Sequence, residues 1–272
     1  MHFYISNLKA EVLDEAQASH LFVMRVQENK IYKASDLNGK VCKILITKVD
    51  KKTKTIEFEQ ASIPKQMDFI PKVMFQAIPD KVYLDKLCEV LPLTGITDLY
   101  FFYSQNSIEY PLNQGRITKI LIRSCEQAEV AYLPKIVLLN KQDLEIELKK
   151  HLPIVLDCNV GKNLSINQSE NVTDQSKNVK ATTVSPQKIG SLVKETPTFP
   201  PSSKTYNLDQ EQINKPALLG PEGGWSESEI LYFQSLNLSF ASLGSIIYPA
   251  WIAGLVWEGL TKIDRKHGDV YN

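Results

Sequence analysis

From Lys72 onward, short apolar segments alternate with longer amphipathic ones, and this alternation restricts the fold more than any other feature of the chain. The strand-like pieces are Val73–Ile78, Asp98–Tyr103, Lys135–Leu139 and Ile154–Leu156, with helical patterns over about 80–91, 114–128 and 143–150 between them. After an interruption the pattern resumes with Ala217–Leu219, a helix over 227–236, Leu238–Ser242 and a closing helix near 250–262. Parallel strands need a crossover of a dozen or more residues, which a helix supplies. The order therefore predicts an α/β fold: a largely parallel sheet covered by helices. Pro92 is read as ending the first of these helices early.

Residues 1–66 carry a different signal. Phe3–Ile5, Ile31–Lys33, Val41–Val49 and Thr55–Glu59 are short β-rich pieces, the last two alternating apolar and polar side chains as half-buried strands do. They predict a small β-barrel. Pro64 and Pro71 mark a linker, so the expected division is a domain over 1–68 and a second over 69–272. Gly161 to Thr205 is dominated by Ser, Thr, Asn and Gln and contains Pro186, Pro197, Pro200 and Pro201. Such a stretch buries too little apolar surface to order itself, and the reading is a disordered insertion at about 161–210.

Charge and cysteine usage exclude several classes. The chain has 31 basic and 31 acidic residues, so a uniformly basic nucleic-acid coat is out. Local basic patches remain possible, the densest being Lys40, Lys43, Lys48, Lys51, Lys52 and Lys54 against the single acid Asp50. No basic n-region with an apolar core opens the sequence, and no apolar run has the length of a membrane span. Cys42, Cys88, Cys125 and Cys158 are scattered, without Cys-x-x-Cys spacing or clustered histidines, so neither a metal site nor a disulfide framework is expected. The expected compartment is the cytoplasm, where the sequons at Asn163, Asn167 and Asn171 would meet no glycosylation.

The chemistry concentrates in two loops. Ala217-Leu218-Leu219 runs into Gly220-Pro221-Glu222-Gly223-Gly224-Trp225, and Ser226 with Glu229 then makes the Ser-x-x-Glu pattern that opens a helix. The glycines let the backbone approach a ligand without a Cβ in the way. The pattern is neither Gly-x-Gly-x-x-Gly nor a phosphate loop with Lys-Ser/Thr, which disfavours a dinucleotide or triphosphate. Eighteen residues later a second strand runs into Ser242-Leu243-Gly244-Ser245-Ile246-Ile247. Loops at the carboxyl ends of neighbouring strands are where α/β sheets hold ligands.

Leu-Gly-Pro-Glu-Gly-Gly-Trp-Ser-x-x-Glu followed by Ser-Leu-Gly resembles the RsmE family, SPOUT-class methyltransferases that use S-adenosylmethionine to methylate N3 of a uridine in small-subunit ribosomal RNA. Ile78–Ile96, Arg116 to Ala128 with its Glu126-Gln127 pair, Leu133–Ile136, and His20–Arg25 are also similar to segments of that family, the last one residue short. The resemblance implies a PUA-like barrel ahead of a SPOUT-type parallel sheet with a C-terminal trefoil knot, a homodimer, and a small-ribosomal-subunit partner. It implies a cofactor pocket at Leu156, Leu219, Gly220, Pro221, Glu222, Gly223, Gly224, Ser242, Leu243, Gly244 and Ile247. Glu126 and Gln127 become the candidate catalytic residues, and Arg25, Lys43, Lys48, Lys51, Lys52 and Lys54 the candidate RNA contacts. His20 is read as a packed or surface histidine, and Trp225, Trp251 and Trp257 as core or dimer-contact residues.

The departures are local. Where the family carries two arginines and a glutamate, this chain has Ile246, Pro249 and Trp251. Neither isoleucine nor proline offers a donor fork for phosphate. Two alternatives follow: a relative that binds RNA or the ribosome without the reaction, and a SPOUT methyltransferase with another RNA target.

Overall fold

A computed structural model describes residues 1–158, 214–244 and 246–263, with side chains as far as residue 259. The insertion expected at 161–210 lies outside these residues, as do the sequons. The first sheet comprises β1 (His2–Tyr4), β2 (Ile31–Ser35), β3 (Lys40–Asp50), β4 (Thr55–Gln60) and β5 (Lys65–Gln66). They run in the order β1-β2-β3-β4, with β5 also on β3. β1 and β2 are parallel and the other pairs antiparallel, with a bulge in β3 between Ile46 and Lys48.

One element here was not anticipated: the helix α1 (Glu15–Val23). Nine residues give a weak periodic signal, but the side chain of Asp14 accepts from the Gln17 amide at 2.8 Å and starts it. Its buried Ala18 and Leu21 pack with Phe3, Ile44, Ile46, Ile56 and Phe58.

The second sheet holds β6 (Val73–Ala77), β7 (Asp98–Phe102), β8 (Lys135–Leu138), β9 (Ile154–Leu156), β10 (Ala217–Leu219) and β11 (Phe240–Ala241). Its order is β11-β9-β10-β6-β7-β8 and every pair is parallel, as the alternation predicted. The chain enters at β6, winds outward through β7 and β8, then crosses to β9 and leaves one place open. β10 fills that place and β11 adds outside β9.

Helices α2 (Lys81–Thr94), α3 (Gln114–Ala128) and α6 (Ala250–Ile263) cover one face, while α4 (Lys141–His151) and α5 (Glu227–Ser235) cover the other. The period-2 geometry of a strand divides the core between them. Ile154, Leu156, Ala217 and Leu219 face α2 and α6; Val155 and Leu218 face α4 and α5. A strand buried on both faces reads as an unbroken apolar run, which is why Ile-Val-Leu and Ala-Leu-Leu carry no alternation. No helix among the described residues is long and apolar enough to cross a membrane.

Pro92 does not end α2, contrary to the reading above. The helix continues to Thr94, and Gly95 closes it in the left-handed conformation (φ 76°). Leu91 and Pro92 are both buried, and the Thr94 hydroxyl donates to the Leu91 carbonyl at 2.6 Å. Burial and this local bond hold the last turn although the proline nitrogen has no hydrogen to give.

The two sheets meet through α3. Glu126 Oε1 accepts from the Tyr4 amide at 2.8 Å, and Oε2 lies 2.9 Å from His20 Nε2, with the Glu126 side chain only 9% exposed. Backbone bonds from Gly39 to Ala131 and from Leu133 to Leu37, each 2.9 Å, continue the contact. His2 is buried on β1 with Nε2 2.8 Å from the Ser35 hydroxyl, and burial pushes its pKa below 6.5.

Glu126→Ala leaves the Tyr4 amide and His20 without their acceptor and is expected to cost about 2 kcal/mol, read by urea denaturation. For His2, the unfolded chain protonates before the folded one. Its stabilising contribution is complete above about pH 6.5 and declines as pH falls towards the lower folded-state pKa. The stability difference between about pH 7.5 and pH 5.5 is therefore expected to be smaller in His2→Asn than in the parent protein.

Candidate functional site

The carboxyl ends of β9, β10 and β11 lie side by side because β10 is inserted next to β9. The loop after β10 is shaped by its own sequence. The Gly224 amide donates to the Pro221 carbonyl at 2.9 Å, a turn that places Gly224 at φ +73°, where a Cβ is strained. An ideal Cβ on Gly220 would lie 3.0 Å from the Trp225 ring, so the indole packs directly on the strand end.

Ser226 then caps α5 with the expected capping box: its Oγ accepts from the Glu229 amide, and its own amide donates to Glu229 Oε2 at 2.9 Å. The second Glu229 oxygen accepts from the Ser104 hydroxyl at 2.7 Å and the Gln105 amide at 3.1 Å. Asn106 Nδ2 donates to the Gly224 carbonyl at 2.9 Å. The loop after β7 thus braces the glycine loop from behind.

Trp225 performs a role that sequence reading missed. Its Nε1 donates to the Leu156 carbonyl at 3.1 Å, which ties the glycine loop to the end of β9. The ring lies parallel to Phe102 (3° between planes) and edge-on to Phe233 at 4.9 Å. The available signal was an aromatic residue directly after a glycine pair, where an indole can cover backbone that has no Cβ.

These loops enclose a cavity of about 360 Å³. Of the residues predicted to hold a cofactor, Leu156, Leu219, Gly220, Pro221, Glu222, Gly224, Ser242, Leu243 and Ile247 line it. Gly223 and Gly244 do not; a Cβ on Gly223 would face Asn106 at 3.2 Å, and Gly244 carries the positive φ (+102°) of its loop. Asp157, Cys158, Trp225, Ile246, Tyr248, Pro249 and the first turn of α6 also line it.

The walls are mostly apolar. Two carboxylates, Asp157 and Glu222, line the cavity, and among the described residues that line it none is Lys, Arg or His. Partial desolvation raises the pKa of Glu222, and the neighbouring charge of Asp80 raises it further. Such a site suits a ligand with an apolar or flat body and a positive charge, and opposes a polyphosphate. Among the described residues no group of three or more His, Cys, Asp or Glu is placed to hold a metal.

The remaining predicted residues are elsewhere. Glu126 is spent on the contact between the sheets and Gln127 is exposed beside it; neither lines the cavity. Arg25, Lys43, Lys51, Lys52 and Lys54 are exposed around the first sheet, where Lys48 pairs with Glu57 at 3.0 Å. Trp257 is buried in the core, and Trp251 stacks on Tyr83.

No model of a known protein family matches the sequence, and no curated protein matches it. Solved structures do match. One is a ribosomal RNA small subunit methyltransferase E from Neisseria gonorrhoeae bound to S-adenosyl methionine, 17% identical, with a TM-score of 0.68 over 96% of each chain. Another is a Legionella pneumophila protein in complex with the bound cofactor SAM, 15% identical, with a TM-score of 0.67 over 96% of each chain. The chain has their fold. The likeness spans both sheets of this α/β chain, so the first sheet and its helix belong to the shared architecture as much as the parallel sheet does.

Glu229→Ala removes the acceptor shared by Ser104, Gln105 and Ser226. It is expected to cost about 1–2 kcal/mol and to speed hydrogen exchange at residues 104–107 and 224–226, measured by mass spectrometry.

Proposed function

We propose that this protein is an S-adenosylmethionine-dependent RNA methyltransferase of the RsmE type, acting on N3 of a uridine in small-subunit ribosomal RNA. The observation that carries the reading is the cavity itself: three loops at adjacent strand ends, apolar walls, two carboxylates and no cation among the described lining residues. The cofactor, when bound, supplies an activated methyl group on a sulfonium centre. Glu222 and Asp157 give that positive charge a favourable surrounding. The Gly220–Gly224 backbone and Trp225 hold a flat body against the strand ends, and Leu156, Leu219 and Leu243 keep water from it.

The whole-chain likeness to two S-adenosylmethionine complexes supports the same reading. We take 1–68 as a PUA-like barrel that binds RNA and 69–272 as the SPOUT domain closed by a trefoil knot. The protein then acts in the cytoplasm as a homodimer on ribosomal RNA or the small subunit. A methyltransferase with another RNA target is the second reading, favoured by Ile246, which stands 63% exposed where the family carries an arginine.

Titration calorimetry with S-adenosylmethionine tests the pocket. Saturable binding in the parent protein is expected, weakened at least tenfold in Gly224→Val, whose side chain enters a backbone region closed to it. Nucleoside analysis of small-subunit RNA after incubation with protein and cofactor separates the two RNA readings: 3-methyluridine supports the first, and another methylated nucleoside supports the second. Absence of cofactor binding in the parent protein sinks both.

A further inference from the structure

The start of α6, with the two residues before it, belongs to two environments. Tyr248, Pro249, Ala250 and Ala253 line the cavity, whereas Trp251 turns towards α2 and stacks on Tyr83, with centroids 5.9 Å apart and planes 13° from parallel. Lys86 follows Tyr83 by about one turn of α2. Its Nζ sits 5.5 Å from the Tyr83 ring centroid and 5.9 Å from that of Trp251. Lys86 is exposed, and none of the ion pairs among the described residues engages it. On the same helix Asp85 is taken up by Arg116.

A polynucleotide that delivers a base to the cavity passes the exposed lining residues Glu222, Ile246 and Ile247. Glu222 repels phosphate and the two isoleucines offer it nothing. A cation beside these residues would offset that repulsion, and a rigid mount improves it, because an unrestrained lysine loses rotamer entropy on contact. The stacked ring pair is such a mount: it holds the ammonium electrostatically while the residue stays exposed.

The geometry points to Lys86, held over the Tyr83–Trp251 pair, as the residue that contacts the RNA phosphate and positions the strand at the cavity. This rests on the RNA methyltransferase reading above. In this chain the role moves from the loop before α6 to α2, and Trp251, a departure from the family pattern, is what makes the move possible.

Lys86→Gln keeps the aliphatic stem and removes the charge, and Lys86→Arg restores it. Both would be measured in the full-length protein against an in vitro transcript of small-subunit ribosomal RNA over a salt series, with S-adenosylmethionine titration and thermal melting alongside. The expected result for Lys86→Gln is about fivefold weaker RNA binding at low salt and a log–log salt slope smaller by about 1. Cofactor affinity and melting temperature stay unchanged, and the arginine variant behaves like the parent protein. Unchanged RNA affinity and slope in Lys86→Gln overturn the assignment, as does a loss accompanied by weaker cofactor binding or a lower melting temperature. A parent protein that binds S-adenosylmethionine but not the transcript overturns the RNA reading itself, and Lys86 with it.

Discussion

The insertion of β10 between β9 and β6 is the constraint on which the rest depends. The three buried residues Ala217-Leu218-Leu219 pair with β9 along their whole length and with β6 at Leu218 and Leu219. Their backbone groups have no water to turn to, so the ladder must be complete or the sheet opens at its centre. Because both neighbours are parallel, the strand end at Leu219 is brought level with the end of β9 at Leu156, and β11 follows at Ala241. The cavity is the space those three ends leave.

Holding the ends open calls for a second set of contacts, which converge on Trp225 and Glu229. The indole binds the end of β9, and the carboxylate ties the start of α5 to the loop after β7. One side chain closes the cavity wall, while the other fixes the helix behind it. Neither contact is sequence-local: Trp225 reaches back 69 residues and Glu229 125. The apolar lining and the two acids then act on whatever enters, favouring a positive charge over phosphate.

Glu126 illustrates how a recognised motif can serve structure. Its pairing with Gln127 drew attention as possible chemistry, yet its carboxylate is consumed by Tyr4 and His20. The interaction joins the RNA-binding half expected from the first sheet to the half that holds the cavity. A rigid connection of that kind sets the distance between any RNA gripped by the first sheet and the cavity in the second.

Much was legible in the chain alone. The α/β alternation, the strands Ile154–Leu156 and Ala217–Leu219, the helix over 114–128 and the capping box at Ser226 and Glu229 all follow from local periodicity and local hydrogen bonding. Two of the loops that line the cavity were legible from glycines at strand ends, and the third, after Leu156, was implied by the family resemblance. Tertiary structure decided the remainder: the order in which the strands pair, the persistence of α2 through Pro92, the placement of Glu126 away from the cavity, and the partners of Trp225 and Trp251. Local sequence encodes which backbone conformations are cheap and which faces are apolar. Which residues meet depends on long-range pairing of strands and helices, and a pattern of a few residues carries no record of a partner more than a hundred positions away.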